Sequence, residues 1–288
     1  MLLSTQTKVV MSAFGPEKAI DIFADAGYDA LDFSFTGENM FLGHTDLDFY
    51  KELRKKAEAK GLFFNQSHAP FGSSFEDEAA TKKRFEEIVL SMKFAAALGA
   101  ENIIVHPCQH MTYADDGVPE KLFQINMDFY SRLKPYCEEY GIHVAIENMW
   151  QNHCGSSKIT HSTCSRPAEF IRYVDGVNSE WFTACLDIGH AMLVCEDPAD
   201  FIRALGKKRL HALHVHDVDG TDDSHTLPYF GVCDWDKIMK ALAEIGYEGE
   251  LTYEADGFLH KKPKELYPAY EKLMVETGRS LIKKFEEN

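Results

Sequence analysis

Leu210-His211-Ala212-Leu213-His214-Val215-His216-Asp217 is the stretch on which the rest of the chain turns. Strand alternation puts Leu213 and Val215 on one side of a short strand and His214 and His216 on the other, with Asp217, Asp223 and His225 just beyond. Two imidazoles sharing a face with carboxylates are costly to bury without a task. The alternative is a polar strand end whose histidines are merely hydrogen-bonded, so the residues elsewhere in the chain must decide.

Outward from this stretch the same unit repeats. An apolar run through Lys8-Val9-Val10-Met11 ends near Ser12 and reads as a first strand, and Gly15-Pro16 opens a helix that closes at Gly27. Strands follow at 30–33, 62–66, 102–106, 143–147 and 182–187, and again at 210–216 and 249–254. Helical patterns separate them, from Asp46 to Lys60 behind a Thr45 cap, then 76–98, 119–140, from Pro167, from Pro198, 234–245 and 267–285. Eight apolar, β-branched strands alternating with amphipathic helices predict an α/β protein with a closed parallel (β/α)8 barrel. An open doubly wound sheet calls for a glycine-rich phosphate turn after its first strand, and none is present. No linker or shift of composition divides the chain, so residues 1–288 are expected to form one domain.

Composition narrows the partners. The net charge of −16 repels nucleic acid and anionic membranes at long range. With no apolar stretch near the ~20 residues that cross a bilayer and no visible secretory signal, a soluble, cytoplasmic protein is expected. The seven scattered cysteines then read as thiols. Cys154 and Cys164 share a loop with His153 and His161, but their spacing matches no familiar structural zinc motif.

Active sites of such barrels collect at the carboxyl ends of the strands. There the residue types are those that bind metals: His68 after the third strand, His106 ending the fourth, Glu147 ending the fifth, Asp187 and His190 at the sixth, His214 and His216 at the seventh with Asp223 and His225 in its loop, and Glu254 ending the eighth. Counting back by twos from Glu147, Asp187 and Glu254 gives Ala145, Cys185 with Thr183, and Thr252, small enough for a barrel interior, whereas Val144, Ile146, Leu186, Leu251 and Tyr253 face the helices. Carboxylates crowded into one mouth repel by about 3 kcal/mol per pair at roughly 5 Å and an effective dielectric near 20. Several such pairs rival the stability of a whole domain, so the mouth needs protons or a divalent cation, and the interleaved histidines favour the cation. Mixed imidazole and carboxylate ligation suits a transition metal, zinc or manganese foremost and cobalt or iron next, over calcium or magnesium.

The pieces His68-Ala69-Pro70, Val105-His106-Pro107, Ala145-Ile146-Glu147-Asn148, Leu186-Asp187-Ile188-Gly189-His190, Leu213-His214-Val215-His216-Asp217, Asp223-Ser224-His225 and Glu254 resemble the xylose-isomerase-like barrel superfamily of sugar isomerases and epimerases, which also contains the apurinic-site endonucleases. They span most of the chain in order; singly weak, together they are specific to the superfamily and not to one reaction.

The resemblance to the isomerase and epimerase branch implies one divalent ion held by Glu147, Asp187, His214 and Glu254, with Glu147 and Glu254 doubling as base and acid. The ion would chelate adjacent oxygens of a ketose or polyol-derived substrate, and proton abstraction next to the carbonyl would proceed through an enediolate. His68, His106, His190, His216, Asp223 and His225 would position hydroxyls, relay protons or bind further metal, and Trp150 would pack on a sugar face.

The endonuclease branch implies three zinc ions, and its ligand positions correspond here to His68, His106, Glu147, Asp187, His190, His214, Asp223, His225 and Glu254. Its substrate demands lysines and arginines for phosphates. None occurs between Ser34 and Thr45, Ser67 and Ala80, Pro107 and Pro119, or Asp217 and Asp236. A phosphodiester hydrolase is therefore the lesser reading, with a non-catalytic sugar-binding barrel a third, and no nucleic-acid or membrane partner is expected. The acidic Asp217–Asp223 loop points to a neutral sugar or polyol. Thr226-Leu227-Pro228-Tyr229-Phe230-Gly231 is bulky and apolar where relatives tend to have glycine-rich spacing, which leaves Tyr229 and Phe230 as pocket walls or as a contact in a homo-oligomer.

Overall fold

A computed structural model describes residues 1–36, 41–153 and 156–288. Eight strands run parallel: β1 Leu3–Gln6, β2 Ala30–Ser34, β3 Phe63–His68, β4 Asn102–Val105, β5 His143–Glu147, β8 Phe182–Asp187, β9 Leu210–His214 and β10 Leu251–Tyr253, in the order β10-β1-β2-β3-β4-β5-β8-β9. The ends meet through a parallel bridge between Val215 and Tyr253, in which Val215 N–H donates to Thr252 O at 2.8 Å and Glu254 N–H donates to Val215 O at 3.2 Å. The sheet is thereby closed into a (β/α)8 barrel.

Around it lie α1 Lys8–Phe14, α2 Pro16–Ala26, α3 Leu47–Ala59, α4 Glu78–Leu98, α5 Val118–Tyr140, α6 Pro167–Val177, α7 Ile188–Leu193, α8 Pro198–Arg209, α9 Trp235–Glu244 and α10 Tyr267–Glu286. Asp46, not Thr45, caps α3, its carboxylate accepting from Phe49 N–H at 2.9 Å. No helix among the described residues is long and apolar enough to cross a membrane.

Side-chain parity follows the alternation read from the sequence. Val144, Ile146, Leu186, Leu251 and Tyr253 pack in the large core between sheet and helices. Ile104, Ala145, Cys185 and Ala212 form a separate small cluster inside the barrel. The rest of that interior is polar and internally bonded: Ser4 Oγ donates to Asn65 Oδ1 at 2.7 Å, and Asn65 Nδ2 donates to Thr252 Oγ1 at 3.1 Å. A register shift between Leu31 and Asp32 lets both Asn65 and Gln66 take part in these bonds.

The first strand is where the sequence reading goes astray. The Lys8–Met11 run is helical, and the strand is the preceding Leu3–Gln6. Ser4 and Gln6 face a polar barrel interior, so the true strand lacks the apolar signature that the following helix carries. After β5 the chain pairs β6 Trp150–Asn152 antiparallel with β7 Ile159–His161. Of the two cysteines that share that loop with His153 and His161, Cys154 lies outside the described residues, and Cys164 is buried in the main core.

Candidate metal centre and active site

The carboxyl ends of six strands deliver their polar side chains to one place. Donor atoms of Glu147, Asp187, His214 and Glu254 all lie within 4.8 Å of one another, and the four residues are buried. His214 Nδ1 sits 3.0 Å from both Glu147 Oε1 and Glu254 Oε2, and 3.9 Å from Asp187 Oδ2. One ring nitrogen carries at most one proton and cannot satisfy three carboxylates. A cation with several coordination positions can.

Further ligand types adjoin this centre on two sides. His68 Nε2 and His106 Nε2 are 3.1 Å apart and lie 3.5 and 2.9 Å from Glu147 Oε2. On the other side His190, His216, Asp223 and His225 form a second close group. His216 Nε2 is 3.0 Å from both oxygens of Asp187, and its ring stacks on His225 at 4.0 Å between centroids.

The orientation of the imidazoles carries information. His68 Nδ1 meets Ala69 O at 2.7 Å, His190 Nδ1 meets Asn148 O at 2.8 Å, and His225 Nδ1 meets Glu254 O at 2.7 Å. A carbonyl only accepts, so in each case Nδ1–H donates, and a neutral ring then presents the Nε2 lone pair to the mouth. Backbone carbonyls beyond the site thus leave Nε2 of these three rings free to meet a proton or a cation.

Charge and burial point the same way. Burial pushes the His190 imidazole down, yet Asp187 and Asp223 beside it raise its pKa to about 10. Burial opposes ionisation of Glu147, but His214 and His106 bring it well below the usual carboxylate range. Without a cation, protons on histidines supply the positive charge this mouth demands. Buried Asp32 Oδ1 and His214 Nε2 make no hydrogen bond. Orphaned buried donors and acceptors of this kind, in a set of carboxylates and imidazoles, fit a divalent transition metal.

Every sequence-predicted site residue is at this mouth. A cavity of about 190 Å³ opens onto Glu147, His190, Asp223, His225 and Glu254, walled by Phe71, Met149 and Trp150. Trp150 Nε1–H donates to Asp223 Oδ2 at 3.1 Å, which fixes the indole at the pocket edge. Tyr229 and Phe230 are outside this wall, exposed at 51 and 61 %. Phe230 packs on Phe258 instead.

Four supporting residues were given no role in the sequence reading. Fully buried Asp32 places Oδ2 3.6 Å from His214 Nε2. Gln6 Nε2–H donates to Glu254 Oε1 at 2.7 Å. Phe71 stacks on the His106 ring at 5.1 Å. Asp217 anchors the following loop, its carboxylate accepting from the backbone N–H of Val218, Tyr229 and Cys233 and from Trp235 Nε1–H. An aspartate inside an apolar strand, as in Ala30-Leu31-Asp32-Phe33, is the one signal among these that the sequence displays openly.

Fold and mouth together define a (β/α)8 barrel with a cluster of carboxylates and imidazoles at the carboxyl ends of its strands. The profile of the xylose isomerase-like TIM barrel matches residues 20–271, and the chain belongs to that family. It is 27% identical over 264 residues to an uncharacterised protein of Methanocaldococcus jannaschii, covering 90% of this chain and 85% of that one. To the fructoselysine 3-epimerase of Escherichia coli O157:H7 it is 23% identical over 217 residues, 74% of this chain and 72% of the relative. Among solved structures, a D-tagatose 3-epimerase-like protein superposes with a TM-score of 0.75 at 23% identity, covering 100% of this chain and 99% of that one. The IOLI protein with a binding zinc atom gives 0.73 at 15% identity, covering 100% and 99%. These structural likenesses establish the fold.

Proposed function

We propose that this protein is a divalent-metal-dependent sugar isomerase or epimerase that abstracts a proton next to a carbonyl, on a ketose or polyol-derived substrate, with residues 1–288 acting as one domain. The observation that carries the reading is the pair Glu147 and Glu254, each 3.0 Å from His214 Nδ1 and both opening onto the same cavity. Its relatives named as epimerases support the class.

Glu147, Asp187, His214 and Glu254 would hold the ion, zinc or manganese foremost, cobalt or iron next. A bound divalent ion supplies positive charge that stabilises the oxyanion developing on a carbonyl. One glutamate takes the proton from the carbon beside the carbonyl; the C–H electron pair forms the carbon–carbon double bond as the carbonyl π pair moves onto oxygen, giving an enediolate. The other glutamate returns a proton to the opposite face or to the neighbouring carbon. His106, His190 and His225 hold substrate hydroxyls in register, and Phe71 and Trp150 cover the apolar C–H face of the sugar and keep water out.

The test is solvent-deuterium uptake into a panel of ketoses and inososes by protein reconstituted with zinc or manganese. Exchange is expected at the carbon beside the carbonyl and is lost in Glu147→Gln and in Glu254→Gln. A panel without exchange sinks the proposal.

One observation favours a second reading. The His68 and His106 pair, the central four and the His190, His216, Asp223, His225 group offer ligands for more than one ion. A metal-dependent phosphodiester hydrolase would bind three ions per chain and cleave an abasic duplex. Metal analysis of purified protein, with one ion expected on the first reading, separates them.

A further inference from the structure

Next to the mouth, across Phe71, stands a cation that the sequence, with Lys8 assigned to a strand, conceals. Because β1 ends at Gln6, which bonds Glu254, Lys8 opens α1 and is not within the sheet, and it lines a small notch separate from the cavity at the carboxylates. Lys8 Nζ lies 5.3 Å from the centroid of Phe71. Phe71 in turn walls the cavity and stacks on His106. The ammonium forms no ion pair with a described residue, and the aromatic face beside it holds a cation too weakly to compete with an oxyanion. Beside it the hydroxyls of Ser34 and Thr36, 2.9 Å apart, line the same small notch, with Ser12 at its edge. Ammonium and hydroxyl donors together are the chemistry that receives a carboxylate or a phosphate.

We propose that Lys8, with Ser34 and Thr36, forms an anion subsite in the notch that Phe71 separates from the pocket, so that the substrate is a sugar carrying an oxyanion group and not a neutral one. This rests on the sugar reading above and departs from the expectation of a neutral sugar, which came from the acidic Asp217–Asp223 loop and took no account of Lys8. The substrate would span the cavity, its carbonyl end at the carboxylate centre and its anionic end at the ammonium, with Phe71 under the carbons between. Such a clamp at both ends would fix which carbon faces Glu147 and Glu254.

Calorimetric titration of manganese-loaded protein with D-fructose 6-phosphate, 5-keto-D-gluconate and D-fructose tests it. At least one anionic ketose is expected to bind tenfold or more tightly than D-fructose, and which one does so identifies phosphate or carboxylate as the group received. Lys8→Met should abolish that preference and leave D-fructose affinity within twofold, whereas Lys8→Arg should keep it. The proposal falls if neither anion is preferred, if neither binds, or if the preference survives in Lys8→Met, which would assign the oxyanion to the metal centre. Deuterium uptake measured in parallel keeps the two readings apart. An anion preference that depends on Lys8, without exchange on any ketose, leaves the subsite standing and removes the isomerase.

Discussion

Asp32 reaches His214 from the side opposite its carboxylate partners: Oδ2 lies 3.6 Å from Nε2, while Glu147 and Glu254 meet Nδ1. Gln66 Nε2–H donates to the same Asp32 oxygen at 2.9 Å, holding the carboxylate in place. A buried carboxylate behind a liganding imidazole fixes its ring and raises its basicity, and losing such a partner typically weakens metal binding by about 10- to 100-fold. Asp32→Asn should therefore lower zinc or manganese affinity by that factor with little change in fold, measured by competition with a chromophoric chelator. An affinity within twofold of the parent would show that Asp32 merely fills space.

Gly189 is indispensable for a different reason. A Cβ at this position would lie 2.1 Å from Cε1 of the fully buried His216 ring, which is locked between Asp187 and His225. The ring cannot retreat without giving up its contact with Asp187. Overpacking of this kind costs about 1–3 kcal/mol. Gly189→Ala is expected to lose that much stability in urea titration, and to lose deuterium exchange as well, because Asp187 is one of the proposed ligands. A variant as stable and as active as the parent contradicts the packing.

Much of the fold is legible because strand and helix periods differ and because ligand-type residues end strand after strand. Phe182–Asp187 is read to the residue, since apolar alternation and its polar end coincide. The limits are equally physical. Leu3–Gln6 hides because its inward residues, Ser4 and Gln6, serve a polar barrel interior, and Val9, Val10 and Met11 imitate the strand that should have been there. Asp32 and Gln6 act on Glu254 and His214 across more than 180 positions of sequence, a relationship with no local pattern. Lys8 follows from the same misplacement, since a residue assigned to a strand is not counted in a loop.

Holding the proposed ion among the carboxylates at the mouth would make stability depend on metal. Removing a bound divalent ion leaves Glu147, Asp187 and Glu254 within reach of one another with protons as their sole compensation. A ligand present at 100 to 1,000 times its Kd stabilises the folded state by about 3–4 kcal/mol. Chelator-treated protein should accordingly melt several degrees below protein with excess zinc or manganese, and the shift should shrink sharply in Glu147→Gln. Calorimetric melting curves that superpose with and without metal would remove the ion from the centre.

Stability should also depend on pH at a site remote from the mouth. Glu271 on α10 is 1% exposed, and burial pushes its carboxyl up to about 7 although Tyr28 Oη–H donates to Oε2 at 2.8 Å. The folded pKa is above the unfolded value of 4.5, so the folded state binds the proton more tightly. The stabilisation is therefore complete below 4.5 and is lost as pH rises through 7. At 1.36 kcal/mol per unit the loss between pH 5 and pH 8 is about 2–3 kcal/mol. Glu271→Gln keeps an acceptor for Tyr28 and removes the titration, so the stability of the variant relative to the parent should grow by that amount from pH 5 to pH 8 at fixed metal load. Urea titrations in which the difference between the two proteins stays constant over this range would mean that Glu271 remains ionised in the folded protein, with its charge met from a source other than Tyr28.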